Sequence, residues 1–300
     1  MKRLILTILC LCLLLCGCST QPTSQEDDAL HILASTYPIY LFTKTLTEGV
    51  DGVEVTQLID ETVSCLHDYT LTVPDMKAIE KADIIILNGA DFEEFMEDAL
   101  AQTNAVTIDC SQGIDLLPAT GHEHHDHEDD HHHGHYDPHY WLSEDAGLVM
   151  LDNILQGLSE LDPPHQDVYH ENFSAAAQLF HKDQLDASTL SCPYLITFHD
   201  GFQYFAHDNG LTLLKSIEEE EGSEASAADI KEIVALIKEY DIPAIFTEKH
   251  GSDDTAQAIA RETSVAVYQL DMIMSGDGQD LSAYFDALNA NYAIIREALS

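Results

Sequence analysis

Basic side chains are scarce in this sequence. Its 300 residues include 12 Lys and Arg against 54 Asp and Glu, which gives a formal net charge of −42 with histidine neutral. An acidic balance of this size argues against nucleic acid or anionic lipid as a binding partner, because both are negatively charged themselves. The same charge favours the attraction of cations.

Cysteine pairs and long apolar runs are also missing. None of the seven cysteines stands in a Cys-x-x-Cys spacing, so a zinc site built on thiolates is not indicated. Three cysteines lie beyond the first 18 residues and allow at most one disulfide among themselves: Cys65, Cys110 and Cys192. The apolar run from Leu4 to Leu15 is too short to span a membrane comfortably.

The N-terminus has the features of a bacterial export signal. Lys2 and Arg3 form a positive region before the apolar run, and Leu15-Cys16-Gly17-Cys18 matches a lipobox. We therefore predict a signal peptide at residues 1–17, lipidation of Cys18 and a flexible tether over residues 18–29. Because two or more acyl chains attach a protein stably, the expected location is extracytoplasmic, lipid-anchored to the bacterial cell membrane.

A histidine-rich stretch lies near the middle of the chain. It alternates carboxylates with eight histidines and contains no apolar residue: His122, His124, His125, His127, His131, His132, His133 and His135. Such a stretch cannot build a core, and it predicts a solvated loop that binds metal weakly. Residues 127–131 formally match the His-Glu-x-x-His motif of zinc proteases, but the apolar helix face that this motif needs is missing.

Short apolar strands alternate with amphipathic helices on both sides of this loop. The alternation predicts an α/β fold of two lobes with mostly parallel sheets, joined by a long helix. The candidate ligands described next come from both lobes, which predicts a metal site in the cleft between them. We place the N-terminal lobe at residues 30–163, including the loop at 121–135, and the C-terminal lobe at 191–300. The connecting helix, at 164–190, is predicted to run from Gln166 to Thr189, over 30 Å at ~1.5 Å per residue.

Four potential metal ligands follow strands or the histidine-rich loop. His67 follows a strand, His199 and Asp271 end strands, and His139 lies just beyond the loop. Ligands of open α/β sheets bind outside the carboxyl ends of the strands. Three imidazoles and one carboxylate form a donor set suited to Zn²⁺. Cys65 is an alternative thiolate ligand, although a lone buried cysteine is more often a small hydrophobic residue.

Several motifs together resemble one protein family. They are His67-Asp68-Tyr69, Asn88-Gly89-Ala90, Asp137-Pro138-His139-Tyr140-Trp141-Leu142, Phe198-His199-Asp200-Gly201 and Leu270-Asp271. From about Leu30 to the end, the chain resembles the zinc-binding lipoproteins of ABC importers, which belong to the metal-specific cluster of substrate-binding proteins. One departure is Thr70-Leu71, where family members often carry Glu-Pro; it removes no ligand.

The resemblance implies a function, partners and a site. It implies two lobes joined by a long rigid helix, in a monomer that captures Zn²⁺ and delivers it to an ABC permease and its ATPase, without catalysis. Carried over residue by residue, the family's ligands fall on His67, His139, His199 and Asp271. Manganese-binding relatives usually have Glu at the third of these positions, so His199 indicates zinc. The histidine-rich loop before the second ligand is also typical of the zinc members.

Three other interpretations stay open on the sequence alone. The first is a manganese- or iron-binding relative of the same family. The second is a secreted zinc-dependent hydrolase, which needs an open coordination position and a general base; Glu61 is the nearest candidate, but no P-loop or nucleophile elbow accompanies it. The third is a zinc-buffering or adhesion lipoprotein without a transporter.

Overall fold

The computed structural model describes residues 29–60, 69–119, 135–216 and 226–300, which form two four-stranded parallel sheets. The strands of the first sheet, in the order β2-β1-β3-β4, are β1 (Leu30–Ala34), β2 (Val53–Gln57), β3 (Ile84–Leu87) and β4 (Val106–Asp109). Those of the second, in the order β6-β5-β7-β8, are β5 (Tyr194–Thr197), β6 (Thr212–Ser216), β7 (Ala244–Glu248) and β8 (Ala266–Leu270). The predicted pair of parallel α/β lobes is confirmed.

Helices cover both sheets. They are α1 (Tyr37–Leu46), α2 (Val73–Lys81), α3 (Glu97–Leu100), α4 (Glu144–Leu161), α5 (Gln166–Ala176), α6 (Gln203–Asp208), α7 (Ala227–Tyr240), α8 (Asp254–Thr263) and α9 (Leu281–Leu299). Short 3-10 turns occupy Glu94–Met96, Tyr140–Leu142, Pro163–His165, Ala177–Leu179 and Ala187–Thr189. Each lobe thus alternates strand and helix, as parallel sheets require.

The central strands carry the most apolar sequences. β3 reads Ile-Ile-Ile-Leu, and all five residues of β7 are buried, because helices cover both faces of a parallel sheet. The edge strand β2 alternates more and less exposed positions instead. These apolar inner strands end at one edge of each sheet, where the polar residues that follow them are brought together.

Helix α7 begins with a reciprocal capping pair. The hydroxyl of Ser226 accepts the N–H of Asp229 at 3.1 Å, and the Asp229 carboxylate accepts the N–H of Ser226 at 3.2 Å. This reciprocal pair satisfies two N–H groups that the first helical turn leaves without partners. The short side chain of Asp therefore serves in a capping box in place of Glu.

The connecting helix is shorter than predicted. Helix α5 ends at Ala176, a single 3-10 turn follows, Phe180 is extended, and His181 has a φ of 60°. The ring of Phe180 packs against Phe42, 6.5 Å between centroids, and the N–H of His181 donates to the buried carboxylate of Glu144. These contacts with distant residues replace helical hydrogen bonds that the local pattern favours. The prediction of one helix from Gln166 to Thr189 is wrong, and the lobe boundaries stay a prediction.

None of the helices in the described ranges is long and apolar enough to cross a membrane. The predicted signal peptide and Cys18 lie outside these ranges.

Candidate metal centre

Two histidines that are 60 residues apart in sequence meet in the interior. His139 directly precedes the 3-10 turn Tyr140–Leu142, and His199 follows β5 by two residues. Their Nε2 atoms are 3.2 Å apart, and the two rings are perpendicular, with centroids 5.0 Å apart. Both residues are almost fully buried, at 3% and 2% relative exposure.

Each imidazole is held from behind by a buried carboxylate. His139 Nδ1 lies 2.7 Å from Asp137 Oδ1, and His199 Nδ1 lies 3.0 Å from Glu248 Oε1. A carboxylate at Nδ1 fixes the tautomer in which Nδ1–H donates and Nε2 keeps its lone pair. With both imidazoles in this tautomer, two nitrogen acceptors lie 3.2 Å apart, and a proton or a cation shared between them would stabilise this short separation.

The segment that carries His139 is clamped by hydrogen bonds from later parts of the chain. Tyr204 on α6 donates its hydroxyl to the carbonyl of Asp137 at 2.9 Å, and Gln203 Nε2 donates to the Asp137 carboxylate at 3.0 Å. The indole N–H of Trp141 donates to the carbonyl of Met272 at 2.8 Å. Asp137 is thus fixed from both sides, and the orientation of His139 is fixed with it.

Gly201 leaves the room that the two rings need. A Cβ on this glycine would lie 2.8 Å from His199 Cδ2, 3.0 Å from His139 Cγ and 2.4 Å from Met272 Cε. Real Cβ atoms are not found at such distances in packed interiors, so any side chain here would push the imidazoles out of position. The glycine of the His-Asp-Gly motif is therefore required for close approach.

Burial and charge act in opposite directions on His199. Burial disfavours its protonated form, but the hydrogen bond and the negative charge of Glu248 outweigh burial and raise the pKa of His199. The other carboxylate oxygen, Glu248 Oε2, is buried and has no hydrogen-bond partner within the described residues. The negative potential at this site favours a cation beside the Nε2 atoms.

Asp271, the predicted carboxylate ligand, follows β8 directly and is engaged on both oxygens. Its Oδ2 accepts from Lys249 Nζ at 3.0 Å, and its Oδ1 accepts the N–H of Ile273 at 2.8 Å. The side chain of Asn291 binds both the N–H and the carbonyl of Asp271, each at 2.8 Å. The carboxylate is therefore held in one orientation and is partly neutralised by a lysine.

The structure leaves several predicted residues untested. Outside the described ranges lie Glu61, Cys65, His67 and the loop histidines His122, His124, His125, His127, His131, His132 and His133. His135 is described and exposed; its carbonyl accepts the N–H of Ala119 at 3.3 Å, beside an antiparallel bridge between Pro118 and Tyr136. The two ends of the histidine-rich loop therefore meet a few residues before His139. Within the described ranges, no group of three or more His, Cys, Asp or Glu is arranged to hold a metal ion.

Sequence reasoning missed three residues of this region. Asp137 was noted only as part of a motif, although its position two residues before His139 is a usable signal. Glu248 ends β7, and Lys249 follows it directly. The rule that ligands lie at the carboxyl ends of strands, which identified His199 and Asp271, also points to these two residues.

Two parallel α/β lobes with a buried histidine pair define a metal-binding substrate-binding protein. The sequence matches the family described as zinc-uptake complex component A, periplasmic, over residues 32–298, and the chain belongs to that family. The resemblance inferred from the motifs is confirmed. Because the family consists of substrate-binding transport proteins, the chain is not an enzyme, and an ABC permease is the implied partner.

Individual relatives agree with this assignment. The chain is 29% identical to the high-affinity zinc uptake system protein ZnuA of Bacillus subtilis, over 98% of this chain and 97% of that protein. It is 28% identical to the zinc-binding lipoprotein AdcA of Streptococcus pneumoniae, over 99% of this chain but 61% of that longer protein.

Solved structures of similar fold contain different metal ions. A zinc-bound variant of AdcAII from Streptococcus pneumoniae superposes with a TM-score of 0.76 at 26% identity, over 91% of this chain and 99% of that one. A manganese complex of FpvC from Pseudomonas aeruginosa gives 0.75 at 25% identity, over 90% and 98%. Proteins of this fold therefore bind zinc in one case and manganese in another.

Proposed function

We propose that this protein captures Zn²⁺ outside the cytoplasm and delivers it to an ABC permease. The proposed ligands are His67, His139, His199 and Asp271. His139 and His199 are the preformed part of the site, and the other two complete the donor set. Zinc is the transported cargo and is released again at the permease.

The observation that carries this proposal is the spacing of the two Nε2 atoms. With Zn–N bonds of ~2.0–2.1 Å, nitrogens 3.2 Å apart subtend an angle of about 100–105° at a shared zinc ion, close to tetrahedral. Both lone pairs are presented by carboxylate–histidine pairs, an arrangement that orients imidazole ligands and raises their basicity. Binding then requires little rearrangement of these two residues.

The donor set favours zinc over manganese and iron. Imidazole suits borderline metals such as zinc, whereas manganese is better matched by carboxylate, carbonyl and water oxygens. Three imidazoles and a single carboxylate therefore discriminate against Mn²⁺. Zinc is also the metal in the names of the relatives from Bacillus subtilis and Streptococcus pneumoniae.

The remaining parts of the proposal concern the cellular location of the protein, its histidine-rich loop and its lobes. Cys18 carries the lipid anchor after removal of residues 1–17, and the mature chain acts as a monomer. The histidines between His122 and His135 form an auxiliary, weaker set of metal sites. Residues 30–163 and 191–300 form the two lobes, and residues 164–190 connect them.

Metal titration of the chain from residue 19 onward tests the proposal. After removal of bound metal with a chelator, Zn²⁺, Mn²⁺ and Fe²⁺ are titrated against a competing indicator. We expect one tight zinc site per chain and much weaker manganese and iron binding. His139→Ala should abolish the tight zinc site. His207→Ala is its control, because it removes an imidazole that is 74% exposed and is not a proposed ligand. Manganese binding as tight as zinc binding would contradict the assignment of zinc.

A further inference from the structure

A lysine occupies the carboxylate that the proposed site offers to the metal. Lys249 Nζ lies 3.0 Å from Asp271 Oδ2. The other oxygen of Asp271 already accepts the N–H of Ile273. Each oxygen of Asp271 therefore already accepts one hydrogen bond, and the one at Oδ2 comes from a cation.

The order of the strands places the two residues together. β7 and β8 are neighbouring strands, and their last residues, Glu248 and Leu270, lie opposite each other. Lys249 and Asp271, which directly follow these strands, are therefore neighbours as well. The N–H of Lys249 donates to the carbonyl of Leu270 at 2.9 Å, which fixes its backbone beside the ligand position. The pair is therefore a consequence of the sheet and not of a chance meeting of long side chains.

The rarity of basic residues makes the pairing more informative. Lys249 is one of 12 Lys and Arg in a chain with 54 Asp and Glu, so most of the acidic residues have no such partner available. The Lys249 side chain is 57% exposed, whereas that of Asp271 is 17% exposed. The exposed lysine side chain can therefore leave the ion pair for solvent, whereas the less exposed aspartate stays in place.

We infer that Lys249 is an affinity-setting residue that competes with the metal for Asp271. The inference rests on the proposed function, in which Asp271 is a zinc ligand. In the metal-free site the ammonium neutralises the carboxylate, and an arriving divalent cation displaces it. In the metal-bound site the ion pair between Lys249 and Asp271 can form again when the Asp271–zinc bond breaks, which weakens zinc binding and speeds zinc release.

Charge explains both the size and the direction of the effect. An ion pair exposed to solvent is individually weak, but the ammonium also repels a divalent cation a few ångströms away. For Lys249→Gln we expect zinc affinity to rise about 3- to 10-fold and zinc dissociation to slow by a similar factor, less so in high salt.

The experiment compares this variant with a matched control. Lys81→Gln removes the same charge from a lysine that is 55% exposed and lies 3.3 Å from Glu54, a pair that has no predicted ligand in it. Zinc affinity is measured by chelator competition, and dissociation by stopped flow after addition of excess chelator. The same two measurements are made on Asp271→Asn with and without Lys249→Gln.

The inference is supported if Lys249→Gln tightens binding, Lys81→Gln changes it less than about 2-fold, and the gain from Lys249→Gln becomes clearly smaller once Asp271 is Asn. An equal gain in the Asp271→Asn background would reduce the effect to long-range charge and overturn the inference. Weaker zinc binding by Lys249→Gln would also overturn it, since the lysine would then position Asp271 as a ligand. A wild-type chain without a tight zinc site would instead refute the proposed function, a result distinct from wild-type binding with no Lys249 effect.

Discussion

Glu248→Gln is expected to weaken zinc binding without destabilising the metal-free protein. In the wild type, Glu248 Oε1 accepts from His199 Nδ1 at 3.0 Å, which leaves Nε2 free for the metal. Glutamine can offer an amide oxygen to Nδ1, but it carries no charge to support an imidazole that donates electrons to zinc. If the amide group turns its NH₂ toward Nδ1 instead, His199 must take the other tautomer and loses the Nε2 lone pair.

The magnitude follows from the role of such carboxylates. Loss of the partner behind a metal-bound histidine typically lowers metal affinity ~10–100-fold, equivalent to about 1.4–2.7 kcal/mol. In the metal-free protein two changes oppose each other, because a charge-assisted hydrogen bond weakens while a neutral amide replaces a buried charge whose second oxygen has no partner within the described residues. We therefore expect the free energy of unfolding of the metal-free protein to change by less than about 1 kcal/mol.

Glu144→Gln provides the opposite pattern as a control. Glu144 is equally buried, but it accepts from the Tyr292 hydroxyl and the His181 N–H and from neither imidazole of the pair. Its amide would turn an NH₂ group toward one of two donors, so stability should fall by about 1–3 kcal/mol while zinc affinity stays unchanged. Affinity is measured by chelator competition and stability by urea unfolding of the metal-free proteins. A Glu248→Gln variant that binds zinc within about 2-fold of wild type would refute the proposed role of Glu248.

Three further predictions address the rest of the site. His67→Ala, His139→Ala and His199→Ala should each weaken tight zinc binding by orders of magnitude in chelator competition, because each removes a ligand bond; near-normal affinity would show that the residue is misassigned. Zinc affinity should fall steeply as the pH drops below about 6, since protons compete for imidazole; the raised pKa of His199 moves the onset upward in pH, and a titration series that is flat from pH 7.5 to 5 would contradict it. Replacing residues 122–135 by a short Gly-Ser linker should abolish the weaker zinc sites and leave the tight one, as followed by calorimetry, because the loop ends are already paired at Pro118 and Tyr136; loss of the tight site from a folded protein would place a ligand in the loop.

Long periodic segments were predictable residue by residue. The bounds of α4 and α9 coincide with stretches of apolar residues at helical spacing, and the start of α7 follows from Ser226 and Asp229. These elements depend on local patterns of apolar residues and caps, which the sequence displays directly. The break after α5 was not predictable in this way, because the burial of Phe180 against Phe42 joins residues 138 positions apart in the chain.

The candidate site divides along the same line. His139 and His199 were identified from motifs and strand ends, and the structure brings them together. Asp137 and His139 are two residues apart, so their pairing was predictable from the sequence. Glu248 is 49 positions from His199, and no local pattern connects the two.

Apart from the break after α5, the sequence by itself determined the long helices and the strands, and hence which polar residues stand at the carboxyl ends of strands. Only the tertiary structure decided which of those residues meet. Because β7 lies between β5 and β8, Glu248 at the end of β7 reaches His199 beyond β5, and Lys249 reaches Asp271 beyond β8. Strand order is set by the packing of whole helices and sheets, and the pairing of charges at a sheet edge follows from that order.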